Sequence, residues 1–343
     1  MATNFPNGVE SYGAPVALDT TMVSYAGAKG LVKFVDGSYG SDTNSGKTPG
    51  LAVKTIQKAL DLLGGRPGGV VYVFPKKTTS LATDPTDYAE TLIINNNQPN
   101  TSIIGVGTGL TQGGLPQLKI GAGTTAMIDV RAPGCTVANL GINGASSTGG
   151  GIKLDDDGGT TYVAFGTTIT NCHFKNCKTH ATNGAGGGAI YTTTSGNAWQ
   201  TRITNCVFYK NVGGIVVAGT SVTVPQDWII QGNVFGSSVN TEIDVDIYVA
   251  GSGVKGLLID NNKFLTVDVP TGTSGTIGRY IKLASGSYGM VSNNRFACLV
   301  NPAATEVTFG AAGTAAIIPT TVRMAGNIGE TSSTTEQDIV YRT

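Results

Sequence analysis

Ile259-Asp260-Asn261-Asn262-Lys263-Phe264 opens on an aliphatic residue, runs through two asparagines and closes on phenylalanine. The same phrase reads Ile169-Thr170-Asn171-Cys172-His173-Phe174, Ile203-Thr204-Asn205-Cys206-Val207-Phe208, Ile230-Gln231-Gly232-Asn233-Val234-Phe235 and Val291-Ser292-Asn293-Asn294-Arg295-Phe296. Weaker copies flank these, Val137-Ala138-Asn139-Leu140-Gly141-Ile142 before and Met324-Ala325-Gly326-Asn327-Ile328 after. The seven starts lie 32, 34, 27, 29, 32 and 33 residues apart. A phrase returning at such intervals marks a structural repeat.

A second phrase alternates with the first. Gly151-Ile152-Lys153-Leu154, Ala189-Ile190-Tyr191-Thr192, Gly214-Ile215-Val216-Val217, Asp246-Ile247-Tyr248-Val249, Tyr280-Ile281-Lys282-Leu283 and Ala315-Ala316-Ile317-Ile318 each precede a copy of the Asn/Phe phrase. Each unit therefore holds at least two short strands, separated by turns rich in Gly, Thr, Ser and Asn. Short strands bury one apolar face by winding about a common axis, each coil stacking about 4.8 Å above the last. Ile and Phe then point inward. Asn suits the corners because it tolerates left-handed backbone geometry, and stacked amides can hydrogen-bond along the axis. Cys172 and Cys206 occupy the slot that is Asn in later copies, which makes them packing residues. Variable spacing and the scarcity of helical stretches exclude leucine-rich and helical repeats. The expected fold is all-β, a single-stranded right-handed parallel β-helix. Val70–Phe74, Leu92–Ile94, Ser102–Ile104, Leu118–Ile120 and Met127–Val130 extend it towards the N-terminus, to about nine or ten coils over residues 70–330.

Composition fits. The chain has 343 residues, 40% hydrophobic and 13% charged, with 50 glycines scattered through it and a net charge of zero. No basic stripe exists to attract phosphate, so nucleic acid is not an expected partner. No apolar run reaches the roughly 20 residues of a membrane span, and the N-terminus lacks a standard secretory signal. The five cysteines, Cys135, Cys172, Cys177, Cys206 and Cys298, show no C-x2-C spacing. They read as buried free thiols of a protein made in a reducing cytoplasm; neither a metal nor a cofactor is expected.

One segment reads as a helix. Within residues 54–63, Ile56, Ala59, Leu60 and Leu63 share a face, and Gly64-Gly65 end it. Such a helix would cover the open end of the core. Ahead of it runs Phe34-Val35-Asp36-Gly37, then the loop Gly40-Ser41-Asp42-Thr43-Asn44-Ser45-Gly46 and Pro49. That order of strand, loop and Lys54-Thr55-Ile56-Gln57-Lys58-Ala59 resembles the start of pectate-lyase-like β-helix proteins. The resemblance covers roughly residues 30–330 and is specific for fold, since this superfold hosts lyases, hydrolases, adhesins and bacteriophage spikes. Residues 1–30, irregular and punctuated by Gly and Pro, form a separate arm ahead of the β-helix of residues 31–343. An arm before a capped β-helix resembles virion proteins of tailed bacteriophages, which implies docking to capsid or tail proteins through residues 1–30, a homotrimer, and location in the virion.

Chemistry is harder to find. Glycoside hydrolysis needs two carboxyl groups roughly 5–9.5 Å apart. A lyase of this superfold implies acidic calcium ligands beside an Arg or Lys base. The candidate acids are Asp155, Asp156 and Asp157, Asp244 with Asp246, and Asp260, with Lys255, Arg279 and Lys282 as positive partners. Asp244 and Asp246, two apart on a strand, could share a face. Asp155–Asp157 run into Gly158-Gly159 as a solvated turn would. The superfamily's Trp-Ile-Asp-His and Gly-His-Gly runs are missing, and Arg279-Tyr280-Ile281-Lys282 has only a partial likeness to a hydrolase element. His173 and His180 form no triad, and no nucleophile elbow appears. The sequence therefore points to a non-catalytic virion protein, a head decoration, fibre or spike. The alternative is a tail-spike depolymerase acting on host surface glycan through Asp244, Asp246 or Asp156. A third reading is a glycan-binding adhesin that uses Trp199 or Trp228.

Overall fold

The structure, a computed structural model, describes residues 31–77, 87–107, 114–119, 126–144, 150–155, 164–177, 187–193, 198–218, 224–236, 245–265, 279–297, 308–310, 316–330 and 340–342. The chain winds through three parallel sheets in turn, in right-handed coils as parallel crossovers require. Among the described residues sheet A has ten strands, from Val32–Val35 and Val70–Val73 through Thr168–Thr170 and Leu257–Asp260 to Val322–Ala325. Among the same residues sheet B has eight, from Gln117–Lys119 to Ile328–Glu330, and sheet C has ten, beginning Leu92–Ile94, Ala126–Val130 and Gly150–Leu154. The expected parallel β-helix is what the chain forms.

The two asparagine positions of the repeat divide their labour. The first makes the corner between sheets A and B: Asn139, Asn171, Asn205, Asn261 and Asn293 have φ of 52 to 57°, and Gly232 and Gly326 take the same place at 69 and 64°. Asn and Gly bear this conformation at the least cost. The second position turns inward and builds a ladder. Asn233 donates through Nδ2 to Asn262 Oδ1 (3.0 Å) and Ile203 O (3.0 Å), while its N–H also donates to Asn262 Oδ1 (2.9 Å). Asn262 repeats those three bonds to Asn294 Oδ1 and Ile230 O, and Asn294 to Asn327 Oδ1 and Ile259 O. These amides are fully buried at Asn233 and nearly so at Asn262 and Asn294, yet every donor is matched.

Towards the N-terminus the column changes residue. Cys206 N–H donates to Asn233 Oδ1 (2.9 Å), and its sulfur lies 3.8 Å from Ile169 O. Cys172 Sγ sits 3.7 Å from Val137 O. Thiols thus hold the place of the amide Nδ2, as the sequence alignment of the slots implied. Leu140 ends the column. Beside it the phenylalanines stack without interruption: Phe174–Phe208, Phe208–Phe235, Phe235–Phe264 and Phe264–Phe296 have centroids 5.0, 4.6, 4.9 and 4.7 Å apart and are tilted by under 10°.

The lead-in loop holds helix α1, Ile56–Asp61, shorter than the expected 54–63 because the last residues form a turn into left-handed Gly64 and Gly65. Asp42 Oδ1 accepts from Lys54 and Thr55 N–H (both 2.9 Å), and Glu90 accepts from Ile56 (3.1 Å) and Gln57 (3.0 Å). Asn44 Nδ2 donates to Ala52 O at 2.9 Å. The quoted loop residues therefore cap α1 and fold the loop back on itself. Ile56, Ala59, Leu60 and Leu63 join the core with Val35, Val53 and Val71 of the first coil. The proposed arm, residues 1–30, lies outside the described residues.

Candidate functional site on the outer face of sheet C

Sheet C turns two aliphatic columns inward. One runs Ile128, Ile152, Ile190, Ile215, Ile247 and Ile281; the other runs Val130, Leu154, Thr192, Val217, Val249 and Leu283. The residues between them must face out, because side chains alternate along a strand. In register this outer row reads Ile93, Asp129, Lys153, Tyr191, Val216, Tyr248, Lys282 and Ile317.

Charge gathers at one end of the row. Arg131 donates to Asp129 Oδ2 through Nε (3.0 Å) and a terminal nitrogen (2.6 Å). Lys153 Nζ lies 3.1 Å from the same oxygen and also pairs with Asp155 Oδ2. Thr193 Oγ1 donates to Asp155 Oδ1 at 3.0 Å. Three of the four carboxylate oxygens are engaged, and Asp129 Oδ1 is buried without a partner. Burial pushes the Asp129 carboxyl up, more than Arg131 and Lys153 pull it down. For Lys153 burial acts downward, but the bond to Asp155 and the charge of Asp129 outweigh it and hold the ammonium protonated above its usual range. Two acids on one ammonium form a compensated network, whose desolvation offsets much of its Coulomb attraction.

The middle of the row is apolar and covered: Tyr191 is 2% and Val216 1% exposed. A Cβ on Gly150 would stand 2.5 Å from the Tyr191 ring, so glycine there makes room for it. At the far end Lys282 Nζ sits 5.0 Å from the Tyr248 ring centroid.

The sequence-derived candidates are dispersed. Asp246 is 3% exposed and lies between Val245 and inward-facing Ile247, at the bend position held by Ala189, Gly214 and Tyr280 in other coils. It lines no groove. Its Oδ2 is buried without a partner, and burial drives its carboxyl well above the ordinary carboxylate range. Asp244, Asp156, Asp157, His180 and Cys298 lie outside the described residues. Asp260 is on sheet A, where it accepts from Ser292 (2.8 Å), Gln231 (2.9 Å) and Asn293 (3.0 Å). Burial raises that carboxyl, but the three donors together outweigh it and hold it low. Trp228 is fully buried and donates to Ala198 O, a packing residue. His173 is buried in sheet B. Cys135, Cys172, Cys177 and Cys206 are buried free thiols, and burial pushes Cys135 and Cys177 up to about 12. Such thiols are inert as nucleophiles. Among the described residues no three His, Cys, Asp or Glu side chains gather as metal ligands, and no helix is long and apolar enough to cross a membrane.

Asp129, Arg131 and Thr193 escaped the sequence reading. A signal existed: Asp129, Lys153 and Lys282 take the same place in the second repeated phrase, one after its isoleucine.

No family model and no curated protein matches the sequence. Among solved structures the chain is similar to Escherichia coli YbhC, with 14% identity over 92% of this chain and 87% of that one and a TM-score of 0.49. It is also similar to the GH136 lacto-N-biosidase of Eubacterium ramulus (12% identity, 89% and 70% covered, TM-score 0.42). A third likeness is to ORF18 of Geobacillus virus E2 (10% identity, 93% and 65% covered, TM-score 0.39). At these values none assigns an activity to the chain.

Proposed function

We propose that this chain is a structural protein of a bacteriophage particle, a rigid β-helical rod that serves as head decoration, fibre or spike. Residues 1–30 dock it to capsid or tail proteins, and the rod functions as a homotrimer in the virion. The observation that carries this reading is where Asp129, Asp155, Asp246 and Asp260 lie. Asp129 and Asp155 share Lys153, Asp260 takes three side-chain donors, and Asp246 is enclosed in the interior. The interior ladders tie successive coils through hydrogen-bonded amides and stacked rings, which makes the rod stiff. The phage resemblance itself rests on the arm of residues 1–30 ahead of the capped β-helix.

The test is particle incorporation. Full-length chain and a version lacking residues 1–30 are supplied to assembling particles of the source phage, which are purified and imaged. The full chain should occupy regular positions on head or tail, and the truncated rod should fold but stay in the supernatant. Particles that take up both forms equally would refute docking through the arm; particles that carry neither would refute the virion role.

A second reading, a depolymerase acting on host surface glycan, draws on one observation: Asp129, in the outer row, keeps a buried partnerless oxygen and a raised carboxyl and shares Lys153 with Asp155. Cleavage of host polysaccharide that Asp129→Asn abolishes, with incorporation unchanged, would establish it over the structural role. Asp244 and Asp156 belong to the same test.

A further inference from the structure

The corner between sheets C and A repeats a left-handed residue in each coil: Asn100, Gly134, Gly166, Gln200, Asp227 and Gly256 have φ of 56 to 70°. The residue before each forms a second column. Asn100, Gly134, Gly166, Gln200 and Asp227 donate their N–H to Pro133, Phe165, Trp199, Gln226 and Lys255 O, at 2.7 to 2.8 Å. In the next coil the pattern shifts by one residue: Leu257, which follows left-handed Gly256, donates to Tyr288 O at 2.9 Å, so Tyr288 lies opposite Gly256 itself. Coil by coil, the edge of the rod therefore carries Phe165, Trp199, Gln226, Lys255 and Tyr288.

These side chains are presented outward and held in place. Trp199 is 42% and Tyr288 50% exposed. The Phe165 and Trp199 rings lie 6.1 Å apart, and the indole Nε1 donates to Val224 O at 3.1 Å, which fixes the ring. Lys255 Nζ sits 4.1 Å over the Tyr288 ring and donates to Gly286 O. Between the two aromatic stations stand exposed Gln226 and Asp227. Trp199 and Tyr288 are three coils apart, about 14 Å at a coil rise of about 4.8 Å.

We propose that this edge is a binding strip for a linear polysaccharide of neutral or N-acetylated hexoses lying along the rod axis. One coil rises by close to the length of one hexose unit, so successive sugars meet successive coils. The apolar face of one pyranose stacks on Trp199, the hydroxyls of the next meet Gln226 and Asp227, a third crosses the coil of Lys255, and a fourth stacks at Tyr288. An aromatic body with polar neighbours is what an amphipathic sugar ring requires, and the pinned indole loses little freedom on binding. A polar residue interrupts the aromatic stations, so the strip is not the continuous apolar patch that a protein partner would cover. This strip is separate from the charged row of sheet C and does not depend on the virion role.

The test uses the full chain on an array of bacterial surface polysaccharides together with chitohexaose and cellohexaose. Intrinsic fluorescence is the second readout: the chain has two tryptophans, and Trp228 is fully buried, so a ligand-induced change reports Trp199. Retention of at least one glycan is expected, with a saturable fluorescence shift. Trp199→Ala should abolish both, Trp199→Phe should keep most of the retention, and Tyr288→Ala should bind about tenfold more weakly. Circular dichroism checks that each variant is folded. No retention of any glycan, or equal retention by folded Trp199→Ala and Tyr288→Ala, overturns the proposal. Self-association that Trp199→Ala removes, without glycan retention, would overturn it too and assign the strip to contact between copies.

Discussion

The two halves of the rod solve one problem with different side chains. At Asn233, Asn262 and Asn294 the backbone N–H and one Nδ2 hydrogen donate to the Oδ1 of the next asparagine, and Nδ2 also donates to a carbonyl of the coil before, so adjacent coils are joined through side chains as well as backbone. From Cys206 back to Leu140, the same column holds thiols and then a leucine. The backbone follows one path in both halves, with left-handed Asn139, Asn171, Asn205, Asn261 and Asn293 at the same corner. Corner geometry therefore depends on the first asparagine. The second adds cohesion between coils. The N-terminal half instead has α1 covering the end of its core. The phenylalanine stack spans both halves and ties them into one body.

The largest effect should come from breaking what the halves share. Phe235→Ala, in the middle of the stack, should cost about 3–5 kcal/mol in chemical denaturation and lower the cooperativity of unfolding between the halves. A cost below about 1 kcal/mol would mean that the stack is not what couples them. Next is the amide column. Asn262→Leu leaves Asn233 N–H and one Asn233 Nδ2 hydrogen buried without partners and should cost about 3 kcal/mol.

Asp246→Asn tests the enclosed acid through pH. Its folded carboxyl is raised by burial, so the folded state keeps a proton that the unfolded state gives up near pH 4. Its contribution to stability is thus full below about pH 4 and is lost as pH rises towards the folded value, by at most about 1.4 kcal/mol per pH unit. The Asn variant should match the parent at acidic pH and be more stable at pH 7. Identical melting curves at both pH values would show that the carboxylate has found a partner. The smallest effect sharpens the comparison itself. Cys206→Asn extends the amide column by one coil and should stabilise by about 1 kcal/mol, whereas Cys206→Ser, too short to reach Asn233, should not.

The fold was legible because the repeat is written in residue types that only a stacked coil uses together: an aliphatic, a left-handed corner residue, an inward polar residue and phenylalanine. Even the thiol-for-amide exchange could be read from aligned slots. The division between the two asparagines could not, since both are compatible with turns and with ladders. The site was far less legible. Asp246 looked outward by strand alternation, but a bend at that position turns two successive residues, such as Ala189 and Ile190, into the core. Asp129 and Lys153 lie 24 positions apart and meet through the register of Ala126–Val130 with Gly150–Leu154. Their coil carries the weakest copies of the repeat, so the register had no phenylalanine to anchor it.

That the rod works through its scaffold, and not through chemistry at its acids, is tested most directly by replacing Asp129, Asp155 and Asp260 with Asn together. Particles carrying the triple variant would be compared with the parent for uptake of the protein, infectivity and degradation of host surface polysaccharide. The expected result is normal uptake and infectivity, with no polysaccharide degradation to lose. Normal uptake with lost degradation or infectivity would contradict it and assign the outer row of sheet C to catalysis.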